Sequence, residues 1–233
     1  MAAKKIRTTR LDIIKCGTTM FLEQGYSQTS PRLVCEALDI STGNLTYYFP
    51  TKEHLLCELV DKLCKYQWKL MEEKAQEGFS SIMAICLELA TMTAMCDGDA
   101  IARDFYESAY KSPFCLELIR KNDAHRAMEV FKTYCPDWTV EQFAAAELLV
   151  SGIEYATLTA VGGPVFLEAR IAGALNQILS IYHVPAETRS TKIARVLSMD
   201  YRGIGRRMLQ DFKTFVNETN EQALEDLFKA QLA

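Results

Sequence analysis

Residues 30–55, SPRLVCEALDISTGNLTYYFPTKEHL, contain two short helical patterns that follow each other closely. Ser30 is a favourable N-cap for the first helix, and Pro31 then takes the first helical position, where its missing N–H costs nothing. This helix is predicted to end near Leu38, and the next begins at the cap Ser41. Because so short a connection separates them, the pair is predicted to form a helix-turn-helix.

The residues before this pair predict another helix that packs behind it. Residues 9–24 have apolar side chains at helical spacing, and Gly25 suits the left-handed conformation that follows a helix end. A fourth helix is predicted from the cap Thr51 to about residue 76. The first three helices share a predicted core, made of Ile13, Ile14, Gly17, Met20, Phe21, Val34, Leu38, Ile40 and Leu45.

The third helix leaves short polar and aromatic side chains outside that core. Asn can pair with adenine, Thr can contact a thymine methyl and Gly allows close approach, so this surface suits the major groove of DNA. Helix N-termini nearby offer N–H groups to phosphate. The predicted DNA-contacting residues are Thr29, Ser30, Arg32, Ser41, Thr42, Gly43, Asn44, Thr46, Tyr47, Tyr48 and Lys52. Helix capping alone is the alternative for Thr29 and Ser30, and a solvated side chain is the alternative for Lys52.

Residues 13–55 resemble the DNA-binding head of TetR/AcrR-type transcriptional regulators. The resemblance rests on IIKCGTTMF at 13–21, GYSQTS at 25–30 and ISTGNLTYYFPTKEHL at 40–55. It implies a homodimeric, repressor-like protein whose third helix enters the major groove. It also implies that a small molecule bound in the rest of the chain controls the affinity for DNA.

Three positions depart from the family pattern. Asp39 stands where the family usually has Gly in the turn, and the turn is retained because Asp tolerates the left-handed conformation. Thr46 stands where the family commonly has a Tyr that touches phosphate, so that contact does not transfer to this chain. Leu33 occupies a position that is more often polar, and nothing in the sequence explains it.

Charge is distributed unevenly along the 233 residues, whose net charge is −4. Residues 1–52, here called the head, have seven basic and four acidic residues and therefore a net charge of +3, which leaves −7 for the remainder. A basic head on an acidic body indicates that the head meets a polyanion. The helix at 51–76 is predicted to connect the head to a body at 77–233, with a joint at Gly78.

Several classes of protein are disfavoured. The eight cysteines form no CxxC pair, and no secretory signal is present, so a reduced, cytoplasmic protein is expected. Glu147 and Glu154 interrupt the longest apolar region, which argues against a membrane span. His54, Cys57 and Glu58 share a helix face but lack a fourth ligand at motif spacing, so neither a metal site nor another cofactor is predicted.

Two long helices, at 139–161 and 165–183, are predicted to form a hairpin around Gly162, Gly163 and Pro164. Apolar side chains lie on most of their faces, so each helix needs two packing partners. We expect one partner to be the core of the body and the other to be the same hairpin of a second copy, which gives a four-helix bundle with two-fold symmetry. A purely intramolecular core is the alternative.

A ligand pocket is predicted among the helices between residues 80 and 160. Met and aromatic side chains suit a deformable apolar cavity. For any one of the candidates, an ordinary core position is the alternative. The candidates are Met92, Met95, Phe105, Tyr106, Tyr110, Phe131, Tyr134 and Tyr155.

The sequence therefore predicts an all-α, ligand-responsive regulator that binds double-stranded DNA. Two other classes remain as alternatives, a helical protein-interaction module and an all-α enzyme. Against an enzyme stands the lack of a phosphate-binding loop, a Gly-x-Ser-x-Gly elbow or a His-Glu-x-x-His motif. Against an interaction module stands the polar tip of the third helix, because a protein-binding helix would present apolar anchors.

Overall fold

The computed structural model describes residues 9–75 and 81–220. In these ranges the chain forms helices and no strand, which confirms the all-α fold class. The joint predicted at Gly78, and the basic residues Lys4, Lys5 and Arg7 of the head, lie outside the described residues. The helices are α1 (Arg10–Glu23), α2 (Pro31–Leu38), α3 (Thr42–Tyr48), α4 (Lys52–Ala75), α5 (Ile82–Gly98), α6 (Ala100–Lys111), α7 (Pro113–Phe131), α8 (Val140–Thr159), α9 (Leu167–Ile181), α10 (Ala186–Leu197) and α11 (Tyr201–Glu218).

The turns of the head have the geometry that the sequence predicts. Ser30 and Ser41 cap α2 and α3. The hydroxyl of Ser30 accepts a hydrogen bond from the backbone N–H of Leu33, and the hydroxyl of Ser41 accepts one from the backbone N–H of Asn44. Gly25 follows α1 with φ of +94°, and Asp39 follows α2 with φ of 50°. Asp39 thus adopts the left-handed conformation that the turn between α2 and α3 requires.

The body is built around α5. This helix is apolar on nearly every face, and it packs against α4, α6, α8, α9, α10 and α11. Gly205 lies in α11 at the closest point of the α5–α11 contact. A Cβ atom added there would lie 2.9 Å from the backbone oxygen of Thr91 and 3.5 Å from Cβ of Met95.

We expect Gly205→Val to lower the free energy of unfolding by about 1–3 kcal/mol, because the new side chain would push α11 away from α5. Urea denaturation followed by circular dichroism measures this change. Arg206→Ala, at an exposed neighbouring position of the same helix, is the control and should stay within about 0.5 kcal/mol of the wild type. Equal stabilities for the two variants would show that the approach of the helices is not tight.

The head contacts the body through α4, α6 and α11. Helix α4 packs against α1 and also against α5 and α7. From α6, the carboxylate of Asp104 accepts a hydrogen bond from the backbone N–H of Ser27 at 2.8 Å. From α11, Lys213 forms an ion pair with Glu23 at 2.7 Å. These contacts join α4, α6 and α11 to the head.

The hairpin of α8 and α9 buries one side and exposes the other. The apolar side chains of α9 face inward, and Ile171, Leu175 and Leu179 are fully buried. On α8, however, Leu148 and Leu149 are 56 % and 62 % exposed. Among the described residues, none of the helices is long and apolar enough to cross a membrane.

Candidate DNA-binding surface and interior cavity

Helix α3 presents its N-terminal half and one flank to solvent. Ser41, Thr42 and Gly43 are all exposed at the tip of the helix. Tyr47 is 78 % exposed, whereas its neighbour Tyr48 is half-buried against the core of the head. The two rings pack edge to face with their centroids 4.9 Å apart, so Tyr48 supports the ring of Tyr47 at the surface.

Two further side chains of α3 are already engaged within the protein. The hydroxyl of Thr46 donates to the backbone oxygen of Thr42 at 3.0 Å, which leaves its methyl group as the part available to a thymine. Asn44 is half-buried, and its Oδ1 atom has no hydrogen-bond partner among the described residues. The side-chain amide of Asn44 must therefore turn outward before it can pair with a base.

The residues predicted to contact phosphate differ in how far their side chains are exposed to solvent. Thr29 is only 1 % exposed, and its hydroxyl donates to the backbone oxygen of Gly25 at 2.9 Å. This hydroxyl stabilises the loop between α1 and α2, and the contact of Thr29 with phosphate stays a prediction. Ser30 and Arg32 are exposed, and Arg32 forms an ion pair with Glu36 at 2.7 Å.

Lys52 joins α4 to the loop that precedes α2. Its ammonium group donates to the backbone oxygens of Tyr26 and Thr29, both at 2.8 Å. It also lies 3.8 Å from the centre of the Tyr26 ring. Burial lowers the pKa of this lysine. Because an ammonium group has three N–H donors, Lys52 can still donate to one phosphate oxygen while it holds the loop.

A cavity lies inside the body between α4, α5, α6, α7 and α8, next to the end of α9. The empty space between its lining atoms is about 790 Å³, a volume that includes space open to solvent. Five of the eight residues predicted from sequence lie in its wall: Met92, Phe105, Tyr106, Tyr110 and Phe131.

The other three predicted residues do not line this cavity. Met95 lies one turn beyond Met92 on α5, where it packs against α11 at Gly205. Tyr155 packs on the outer side of the Tyr110 ring, with 6.2 Å between the ring centroids. Tyr134 is half-buried in the turn after α7. Aromatic character alone could not distinguish the side of each helix that faces the cavity.

The cavity wall also has a polar part, which is not among the residues predicted from sequence. Glu88 on α5, Asp123 on α7, and Glu147 and Glu154 on α8 all line it. Burial raises the pKa of both Glu147 and Glu154 to about 8, and neighbouring carboxyl groups contribute in the same direction. The available signal was the spacing of Glu147 and Glu154, because two carboxyl groups seven residues apart in an apolar helix share one face.

The head has the architecture of a helix-turn-helix DNA-binding domain, and comparison with protein families agrees. Residues 13–59 match the model of the family described as bacterial regulatory proteins, tetR family. The TetR/AcrR resemblance of this segment is thereby confirmed, and a larger all-helical body follows it.

The other comparisons are less informative. No curated protein matches the chain. Two similar solved structures are crystal structures of a gamma-butyrolactone receptor described as ArpA-like. The first is 18% identical, with 87% of this chain and 96% of that chain covered and a TM-score of 0.43. The second is also 18% identical, with 87% and 97% covered and a TM-score of 0.40.

Proposed function

We propose that this protein is a ligand-responsive transcriptional repressor that binds a palindromic operator as a homodimer. A head at residues 1–52 binds DNA, and a body at residues 77–233 binds the ligand and a second copy. The observation that supports this most strongly is the helix-turn-helix with an exposed, polar α3 tip, within the segment that matches a family of regulators. Regulation, rather than catalysis, is the activity that the family description favours.

Dimerisation is supported by an apolar stripe on the solvent side of α8. Ala145, Leu149, Gly152 and Ala156 are all exposed, and they recur at spacings of three and four residues, so they lie on one face of the helix. Leu148 widens this face. The small side chains allow close approach of a second helix, and the leucines supply apolar area to bury. Two copies joined by this face would form the proposed four-helix bundle.

The proposed response to ligand depends on α4. Val60, Leu63 and Gln67 of this helix line the cavity, while the beginning of the same helix is bonded through Lys52 to the loop before α2. A ligand that alters the packing of α4 therefore alters the position of the head. DNA affinity falls only if the ligand prefers the arrangement whose α3 helices do not match two half-sites on the duplex.

The surface assignment is tested by gel-shift titration against a duplex enriched from genomic fragments by the purified protein. We expect Tyr47→Ala and Asn44→Ala to weaken binding to this duplex by about 1–3 kcal/mol while non-specific binding changes little. Lys52→Ala should weaken binding to all duplexes alike, because neither a phosphate contact nor the two hydrogen bonds of Lys52 to the loop before α2 depends on base sequence.

Lys69→Ala is the matched control for Lys52→Ala. It removes one positive charge from an exposed position of the same helix, outside the head. Wild-type affinity for the selected duplex should fall steeply with salt concentration because phosphate contacts release counterions. Unchanged binding in the Tyr47, Asn44 and Lys52 variants would contradict the assignment of the DNA-binding surface.

A further inference from the structure

The wall of the interior cavity contains more acidic than basic groups. The four carboxyl groups of Glu88, Asp123, Glu147 and Glu154 line it, and the basic residue in the wall is Arg126. Arg126 forms an ion pair with Glu88 through Nη1, and its guanidinium carbon lies 4.7 Å from the centre of the Trp68 ring, while its Nη2 has no hydrogen-bond partner among the described residues. The carboxyl groups on α7 and α8 are left without an equivalent basic partner in the wall.

Buried polar atoms of the same wall lack hydrogen-bond partners. Glu147 and Gln67 are each only 2% exposed. Among the described residues, no group bonds to Oε2 of Glu147, to Nε2 of Gln67 or to Nη2 of Arg126. A buried polar group without a partner costs about 1–3 kcal/mol. Oε2 of Glu147 would be stabilised by a cation or a hydrogen-bond donor from outside the chain, whereas Nε2 of Gln67 and Nη2 of Arg126 would be stabilised by an acceptor group.

Two tyrosines orient the carboxyl groups of α8. The hydroxyl of Tyr110 donates to Oε2 of Glu154 at 2.8 Å, and the hydroxyl of Tyr182 donates to Oε1 of Glu147. Donation to a carboxyl oxygen favours its ionised form. The rings of Phe105 and Tyr106 also line the cavity. Aromatic faces and carboxylates both attract cations.

We propose that this cavity binds an organic cation with aromatic or bulky apolar substituents, whose positive charge lies against Glu147 and Glu154. The inference rests on the proposed function, since it names the ligand class for the same body cavity. The apolar substituents would occupy the part of the cavity lined by Met92, Phe105 and Phe131.

Binding of a cation is expected to displace protons from the carboxyl groups of Glu147 and Glu154. Burial raises the pKa of Glu147 and Glu154 to about 8, so both groups are mostly protonated at neutral pH. A cation beside them would lower both pKa values, and its binding would release protons. Affinity should therefore rise with pH and level off above about pH 8. The other titratable or charged groups that surround this pair are Cys64 on α4, Glu88 on α5, Tyr106 and Tyr110 on α6, Arg120, Asp123 and Arg126 on α7, and Tyr182 after α9.

The test uses three probes of similar shape and different charge, titrated into the full-length protein by isothermal calorimetry. They are tetraphenylphosphonium, the anion tetraphenylborate and the neutral hydrogen-bond acceptor triphenylphosphine oxide. We expect tetraphenylphosphonium to bind at least about tenfold more tightly than either of the other two. Tighter binding of the neutral oxide would overturn the proposal, because the carboxyl groups would then act as protonated donors.

Substitutions in α8 test whether the bound cation lies beside Glu147 and Glu154. Glu147→Gln and Glu154→Gln keep the shape of each side chain, and each should weaken tetraphenylphosphonium binding about tenfold. Glu141→Gln, at an exposed position in the first turn of the same helix, should leave binding unchanged. Equal loss in all three variants would indicate binding to the acidic surface and would overturn the proposal.

The affinity of the wild-type protein for tetraphenylphosphonium, measured at a series of pH values, tests the proposal without any substitution. The charge of tetraphenylphosphonium does not titrate, so any change in affinity reports on the protein. We expect affinity to rise between about pH 6 and pH 8 and to stay level to about pH 9. An affinity that is constant over this range would contradict the placement of the cation beside Glu147 and Glu154.

Failure of this inference can be distinguished from failure of the proposed function. A protein that binds its selected duplex but does not prefer tetraphenylphosphonium keeps the proposed function and overturns the cation site. A protein that ignores every duplex but binds the cation through Glu147 and Glu154 overturns the proposed function and supports the cation site.

Discussion

Leu149→Glu is expected to convert the protein from a dimer to a single copy and to weaken its binding to the selected duplex by about 100-fold or more. The leucine is exposed in the single chain, and in the proposed dimer it lies in the apolar face that two copies share. The substitution would place a carboxylate from each copy in that face. Two linked heads bind one duplex far more tightly than one head does, because the second head binds intramolecularly.

Sedimentation equilibrium measures the mass of this variant, and gel-shift titration measures its affinity for DNA. Lys121→Glu is the control, since it changes charge at an exposed position of α7 outside the α8–α9 face. It should remain a dimer. A Leu149→Glu protein that stays dimeric, or a wild-type protein that is a single copy at micromolar concentration, would contradict the proposed interface.

Phe21→Ala is expected to destabilise the head by about 3–5 kcal/mol, because it removes a large side chain from a closed core. Phe21 is fully buried and packs edge to face against Tyr26, with 5.1 Å between the ring centroids. It lies in the same core as Ile13, Val34 and Leu45. Loss of this core would also abolish DNA binding, since α3 could no longer be held in place.

Urea denaturation followed by circular dichroism tests the effect of Phe21→Ala on stability. The control is Leu33→Ala, because Leu33 is 37% exposed and a surface substitution changes stability by no more than about 0.5 kcal/mol. If the Phe21 and Leu33 variants unfold at the same urea concentration, the described core of the head is wrong.

The head was predictable from sequence because its signals are local. A cap, a proline and a left-handed residue each fix a boundary within a few positions, and Ser30, Ser41, Gly25 and Asp39 all have the predicted roles. Burial of single residues was less predictable. Nothing in the sequence indicates that the hydroxyl of Thr29, a predicted DNA-contacting residue with helix capping as the alternative, is buried and donates to the backbone oxygen of Gly25.

The helices that surround the cavity could be predicted from the sequence, but only some of the residues that line it could. Met and aromatic side chains occupy both the cavity and the ordinary core, so Met92 and Met95 could not be separated without knowing which helix each one faces. The carboxyl groups of Glu147 and Glu154 served in the sequence analysis only to exclude a membrane span. These two carboxyl groups lie close to Asp123 because α8 packs against α7. The side of each helix that faces the other cannot be read from the sequence.

In the hairpin of α8 and α9, the bounds of the helices were also easier to predict than the burial of single residues. Its two helices and their break were evident from glycine, proline and apolar spacing, and α8 and α9 lie within the predicted ranges. The division of its apolar residues between an internal core and an exposed stripe was not evident. Ile171 and Leu175 complete the core of the body, whereas Leu148 and Leu149 remain exposed.

The most direct test of the central claim is selection of a random duplex pool with the purified protein, followed by the mass of the complex with an enriched duplex. We expect an inverted repeat whose half-sites lie about one helical turn or more apart, bound by two chains. Enrichment of an asymmetric site bound by one chain, or no enrichment at low salt, would contradict it.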